Sequence, residues 1–135
     1  MYPLAMTIAR ALAALFFAAA GLGHFIVPSF YLAMMPPWLP APLFLVQLSG
    51  VAEIAGGVGL LIPRLRRPAG IGLVLLLIAV FPANIQMLQN ARAAGTPELA
   101  LWIRLPFQVL FIGWVLFVSR PAPAAPFQPG AASRP

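Results

Sequence analysis

Four segments of about 20 residues each, almost free of charged side chains, dominate the sequence. They cover about residues 4–27, 43–62, 69–88 and 99–118, and each is long enough to cross the hydrocarbon core of a bilayer as an α-helix. Only 7% of the 135 residues are charged, whereas soluble domains carry about 25%. The sequence therefore predicts an all-α fold, an integral membrane four-helix bundle.

The four spans and their connections account for residues 1–120, which leaves room for one transmembrane domain. Between the first two spans, residues 28–42 are rich in proline and aromatic side chains, which favours a short interfacial segment on the membrane surface. Residues 121–135 are rich in proline and alanine and have no apolar period. That composition predicts a disordered tail.

The first segment has a second interpretation, as a cleaved signal peptide. Arg10 precedes an apolar run, and the alanines at 18–20 resemble a small-residue cleavage site. Because the apolar run continues through Gly23 and Phe25, well past that site, we expect a membrane span.

The net charge is +6, and all the basic residues are arginines. In a soluble chain this charge would suggest a nucleic-acid partner. Here the arginines lie at the ends of apolar segments and form no basic stripe, so the expected partner is the lipid bilayer and not a nucleic acid. With a cytoplasmic N-terminus, most arginines fall on the cytoplasmic side, so both termini are expected in the cytoplasm.

The chain has no cysteine and only one histidine, His24. Without cysteine it offers no thiol–disulfide exchange, covalent haem attachment or iron–sulfur ligation. One histidine per protomer is too few for bis-histidine haem or a histidine-rich metal site. We therefore expect no covalently bound cofactor and no metal, and any redox cofactor must be held in another way.

Glu53 is the most informative polar residue, because its place in the second span puts it roughly 15 Å below the outer surface. A carboxylate at that depth is costly unless it is protonated or paired with a cation. Arg104 in the fourth span lies at a compatible depth, and we expect the two to form an ion pair. His24, Asn84 and Gln108 complete the predicted ligand-binding cluster in the outer half of the bundle.

Pro82 and Pro106 each free a backbone carbonyl at a similar depth, which favours a pocket that opens outward. The alternative is structural, because buried ion pairs and amides also serve as glue between helices. The chain has no phosphate-binding loop, metal-ligand spacing or nucleophile elbow. No catalytic residue is therefore assigned, and the sequence favours an accessory subunit over a self-sufficient enzyme.

Several short motifs occur in an order and spacing that resemble the DoxX-like family of small four-helix bacterial membrane proteins. They span all four segments: Gly23-His24-Phe25, Pro28, Tyr31, Met35-Pro36-Pro37, Leu39-Pro40, Ser49-Gly50, Glu53-Ile54, Gly56-Gly57, Ala79-Val80-Phe81-Pro82-Ala83-Asn84-Ile85 and Arg104-Leu105-Pro106. The resemblance implies a location in the bacterial cytoplasmic (inner) membrane and a link to redox or oxidative-stress systems. Some related proteins use cysteine pairs, and this chain departs from them.

Three functions are compatible with these features. The first is an accessory subunit of a membrane-associated redox system that binds a quinone or a similar lipophilic molecule. The second is a non-enzymatic scaffold or assembly factor that holds another membrane or redox protein, or a second copy of itself. The third, a small transporter or proton path through Glu53, would require a dimer.

Overall fold

The computed structural model describes residues 2–121 and 123, and within these residues it contains helices and no strand. Six helices follow one another along the chain: α1 (Tyr2–Ile26), α2 (Pro28–Ala33), α3 (Pro42–Leu61), α4 (Arg66–Ala79), α5 (Phe81–Ala94) and α6 (Leu99–Val118). Four helical segments are long and apolar enough to cross a membrane. The predicted all-α bundle of four spans is confirmed, and by length and composition the protein is a multi-pass membrane protein.

The third span is longer than expected and is broken in the middle. It covers Arg66–Ala94, where α4 and α5 meet at Val80. Pro82 lies in the first turn of α5, where its missing N–H costs least. The proline therefore divides the span into two helices instead of kinking one helix. The predicted disordered tail falls outside the described residues, apart from Pro121 and Pro123.

The helices α1 and α3 cross in close contact at two glycines. A Cβ atom added to Gly21 would lie 2.6 Å from the carbonyl oxygen of Gly50, and one added to Gly50 would lie 2.8 Å from the carbonyl oxygen of Gly21. No side chain fits between the two backbones. In a lipid environment, where the hydrophobic effect does not drive helices together, such close packing of small residues stabilises the pair.

Small residues also join α3 to α4. Leu73 packs against Gly56, and Ala69 packs against Gly59. A Cβ atom added to Gly56 would lie 2.5 Å from the Leu73 side chain, and one added to Gly59 would lie 2.7 Å from the Cβ atom of Ala69. The glycines of the second span thus serve helix packing. Beyond these contacts, the buried core consists of Phe17, Leu60, Leu73, Val115 and Val118 with the smaller Ala13.

Arg10 ties α1 to the end of α6. It is buried, and its guanidinium donates from Nε to the carbonyl oxygen of Val118 at 2.7 Å and from Nη2 to that of Arg120 at 2.8 Å. The Val118 carbonyl is one of those that the last turn of a helix leaves without a partner, and Arg120 lies two residues beyond α6. We call this end of the bundle the Arg10 end and the opposite one the α2 end.

At the α2 end, the short connection between α5 and α6 is held by polar side chains. Arg92 donates to both carboxylate oxygens of Glu98, at 3.2 and 3.0 Å, and Trp102 donates to the same carboxylate at 3.1 Å. These bonds hold the pKa of the Glu98 carboxyl below its usual range. Across this end, Asn90 of α5 donates to the carbonyl oxygen of Ala33 in α2.

The α1–α3 crossing predicts a specific sensitivity to side-chain size. Gly50→Ala should lower the free energy of unfolding in detergent by roughly 1–3 kcal/mol, because the new methyl group meets backbone that has nowhere to move. Gly72→Ala is the matched control. A Cβ there has nothing within 4 Å, so this variant should be as stable as the wild type or more stable by up to about 1 kcal/mol. Equal stability of both variants would contradict the described crossing.

Candidate functional site: a polar cavity at the α2 end

A cavity of about 220 Å³ lies at the α2 end of the bundle, among all six helices. Its walls are mostly apolar, with four phenylalanines and two methionines. Its polar side chains are His24, Tyr31, Ser49, Glu53, Asn84, Arg104 and Gln108. All five residues of the predicted cluster therefore line one cavity, although they come from four different helices.

His24 and Glu53 form the most closely associated polar pair in the cavity. The Nδ1 atom of His24 lies 3.2 Å from Oε2 of Glu53 and 3.0 Å from the carbonyl oxygen of Ala20, one turn earlier in α1. His24 is buried and Glu53 is mostly buried. The two side chains meet because Gly21 and Gly50, each three residues earlier in its helix, let α1 and α3 approach.

Tyr31 covers the histidine from the side of α2. Its ring stacks on the His24 ring with centroids 3.8 Å apart and planes at 20°, and its hydroxyl lies 3.5 Å from the Ala20 carbonyl oxygen. Burial raises the pKa of Tyr31 above its ordinary value, and the charge of Glu53 raises it further while that of Arg104 lowers it. The phenol is therefore a neutral hydrogen-bond donor at physiological pH.

Gly23 makes room for this arrangement. A Cβ atom at this position would lie 2.9 Å from the Tyr31 hydroxyl. The stacked ring and the short α2 helix thus depend on a glycine one residue before the histidine.

One carboxylate oxygen of Glu53 has no hydrogen-bond partner among the residues that the structure describes. Oε2 is buried, and although it faces Nδ1 of His24, it makes no hydrogen bond of acceptable geometry. A neutral imidazole carries only one ring N–H. If that proton is on Nδ1, the Ala20 carbonyl oxygen competes with Glu53 to accept it. A buried carboxylate oxygen without a donor is costly. This oxygen is the strongest unsatisfied acceptor in the cavity.

The predicted ion pair between Glu53 and Arg104 is wrong. Arg104 is exposed at the edge of the cavity, and its Nη1 atom contacts the sulfur of Met87 in α5 at 3.7 Å. Depth along a helix sets only the height of a side chain, whereas its rotation about the axis decides which helix it faces. The rotation of α6 directs Arg104 toward α5, and the glycine crossing brings His24 to Glu53 instead.

Asn84 and Gln108 hold the broken span against α6. Asn84 donates from Nδ2 to Oε1 of Gln108 at 2.5 Å, and Gln108 donates from Nε2 to the carbonyl oxygen of Leu77, close to the break. Gln108 is buried, with 6% of its surface exposed. These two amides therefore already have structural partners, which is the role expected of amides between membrane helices.

Among the lining residues outside the predicted cluster are Tyr31, Met34, Met35 and Ser49. The sequence placed the first three on the membrane surface as interfacial anchors. The prolines at the start of α2 and shortly after it could have predicted this position. They limit the length of α2, and the short connection between α1 and α3 keeps α2 over the ends of these two helices. Ser49 lies one helical turn before Glu53 and shares its face of α3.

The cavity presents an acceptor group and a donor group within apolar walls. Glu53 offers an acceptor near His24, and Arg104 offers donors that no carboxylate accepts in the described part of the chain. Within the described residues, no group of three or more histidine, cysteine or acidic side chains is placed to hold a metal ion. The arrangement suits a small, largely apolar molecule with polar atoms at both ends.

A family model described as a domain of unknown function (DUF8561) matches residues 12–119. The chain belongs to this family. The DUF8561 match begins within α1 and ends just after α6, so it includes every residue that lines the cavity. Comparisons with curated proteins and with solved structures find no match. Membership of DUF8561 carries no activity with it, so the function has to be argued from the site.

Proposed function

We propose that this DUF8561 protein binds a quinone, or a similar lipophilic small molecule, in the cavity at the α2 end, as an accessory subunit of a membrane-associated redox or oxidative-stress system. The observation that carries the proposal is the buried carboxylate oxygen of Glu53 that makes no hydrogen bond within the described residues, on the same apolar cavity as the Arg104 guanidinium. A ring with oxygen atoms on opposite edges has polar atoms at both ends and an apolar body between them. In the reduced, quinol form of such a ring, one hydroxyl donates to Glu53 and the other oxygen accepts from Arg104.

The size of the cavity supports a ring. A volume of about 220 Å³ is equivalent to roughly seven water molecules, which matches a substituted six-membered ring. Whole drug-sized ligands usually occupy about 300–1,000 Å³. The cavity therefore fits the headgroup of a lipophilic molecule and excludes its tail.

The sequence motifs that resemble the DoxX-like family support the redox association, because that resemblance implies subunits of quinone-linked oxidoreductases. They also support a location in the bacterial inner membrane. In this proposal the protein supplies a binding site and no catalytic residue, and another protein would supply the redox chemistry.

Binding of a methoxy-substituted benzoquinone without a side chain, kept in its reduced quinol form, tests this function. Purified protein in lipid nanodiscs should bind it, and Glu53→Gln and Arg104→Ala should each weaken binding by about 10- to 100-fold, the usual cost of losing a hydrogen bond to a charged group. Isothermal titration calorimetry measures the affinity. The matched control is Gln47→Leu, a change on α3 at an exposed residue outside the cavity, which should leave the affinity unchanged.

Two outcomes would contradict the proposal. One is the absence of binding to the wild-type protein, and the other is unchanged affinity in both cavity variants. If the wild type binds no quinone but purifies in mild detergent with another membrane protein in fixed ratio, the scaffold or assembly factor becomes the better account.

We also propose that both termini face the cytoplasm and that α2 faces the outer side. The support is the distribution of arginine, which favours the cytoplasmic side at the Arg10 end. Reporter fusions at Pro40 and at Ser119 should report opposite sides of the membrane, with Ser119 cytoplasmic. Reports from the same side, or the reverse assignment, would overturn this orientation.

A further inference from the structure

The exposed part of the cavity wall is confined to two helices. Of the residues that line the cavity, three are exposed: Phe16 on α1, and Arg104 and Phe107 on α6. All the other lining residues are buried or half-buried. The cavity therefore opens sideways between α1 and α6, where a membrane protein meets lipid.

The packing of α1 against α6 explains why the opening lies there. At the Arg10 end, the Arg10 guanidinium bonds to the carbonyls of Val118 and Arg120. Closer to the α2 end, the contact between the two helices is a stacked pair of rings, Phe16 and Phe111, with centroids 4.7 Å apart and planes at 18°. The two helices are thus tied at one end, and only aromatic side chains close the gap next to the cavity.

The side toward the membrane surface is covered. Tyr31 of α2 lies over the cavity together with Met34 and Met35, which follow α2, and Met34 is only 6% exposed. Asn90 of α5 donates to the Ala33 carbonyl oxygen at 2.9 Å, which fixes α2 across the end of the bundle. A ligand from the aqueous phase would have to displace this cover, whereas a ligand from the lipid would not.

We infer that Phe16, Phe107 and Phe111 form a lipid-facing portal through which the apolar chain of the bound molecule leaves the cavity between α1 and α6. This inference rests on the proposed function and adds the class of ligand to it. The ligand is an amphiphile with a ring headgroup in the cavity and an apolar chain in the bilayer. The portal residues contact that chain and select for ligands that carry one.

Two quinones with the same methoxy-substituted ring, both in the reduced form, test the portal, one without a side chain and one with a decyl chain. Phe16→Trp and Phe111→Trp enlarge the side chains that close the gap. Because both residues also line the cavity, the readout is the ratio of the two affinities. In each variant the advantage of the decyl quinone over the ring without a chain should fall by about tenfold, which corresponds to the lost burial of roughly two methylene groups.

Phe44→Trp is the matched control, because Phe44 is 61% exposed on α3 and does not line the cavity. It should change neither affinity. If the portal variants weaken both quinones equally, or neither, the portal is overturned while the proposed function stands. If the wild type binds neither quinone, both the portal and the proposed function are contradicted.

Photolabelling of the wild-type protein gives a second test that does not depend on a variant folding. A decyl quinone with a diazirine on a chain carbon close to the ring should label α1 near Phe16 and α6 near Phe107 and Phe111. Excess quinone without a chain should suppress this labelling, since it competes for the headgroup site. Competable labels on α2 or α3 instead would overturn the inference.

Discussion

The contact of α1 with α3 at Gly21 and Gly50 is the constraint on which the rest of the structure depends. Two helix backbones meet there without a side chain between them. In lipid, the gain from bringing helices together comes mainly from close packing, so a small residue at a crossing contributes more than a large apolar one. One turn farther along each helix, the same contact places His24 beside Glu53 and so creates the polar centre of the cavity.

Some of the polar groups within the spans are satisfied by helix ends or helix breaks. Arg10 binds the Val118 carbonyl at the end of α6, and Gln108 binds a carbonyl beside the break between α4 and α5. Such pairing is what the bilayer requires of polar groups within it. Glu53 and Arg104 differ, because a carboxylate oxygen of one makes no hydrogen bond and the guanidinium of the other meets only a sulfur atom. Both line the same cavity, which is why the function is placed there.

Much of this architecture could be predicted from the sequence, because hydropathy and length alone determine how many helices cross a bilayer. The depth of each polar residue also follows from its position in a span, and depth was enough to assemble the five residues of the cluster. Their pairing could not be predicted, because depth carries no information about rotation. Arg104 and Glu53 lie at a similar depth, but their side chains point in different directions. His24 lies beside Glu53 because of the glycine contact between α1 and α3, and hydropathy gives no information about that contact.

Other features depend on contacts between distant parts of the chain. Arg10 looked like a residue that sets orientation, yet it is a cap for α6, more than a hundred residues away. The phenylalanines of the portal looked like any other lipid-facing side chains, since only their place beside the cavity between α1 and α6 distinguishes them. The two-helix form of the third span depends on Pro82 lying in the first turn of a new helix, and composition does not distinguish this from a kink.

The central claim, that the cavity beside His24 and Glu53 is a binding site for a quinone headgroup, has a direct spectroscopic test, because the chain contains a single histidine. Protein labelled with ¹⁵N only at histidine gives imidazole resonances from His24 alone. Saturation with the quinone ring should shift these resonances, as the ligand changes the hydrogen bonding of the His24–Glu53 pair. Unchanged His24 resonances, with calorimetry showing the quinone bound, would place the ligand elsewhere and contradict the account.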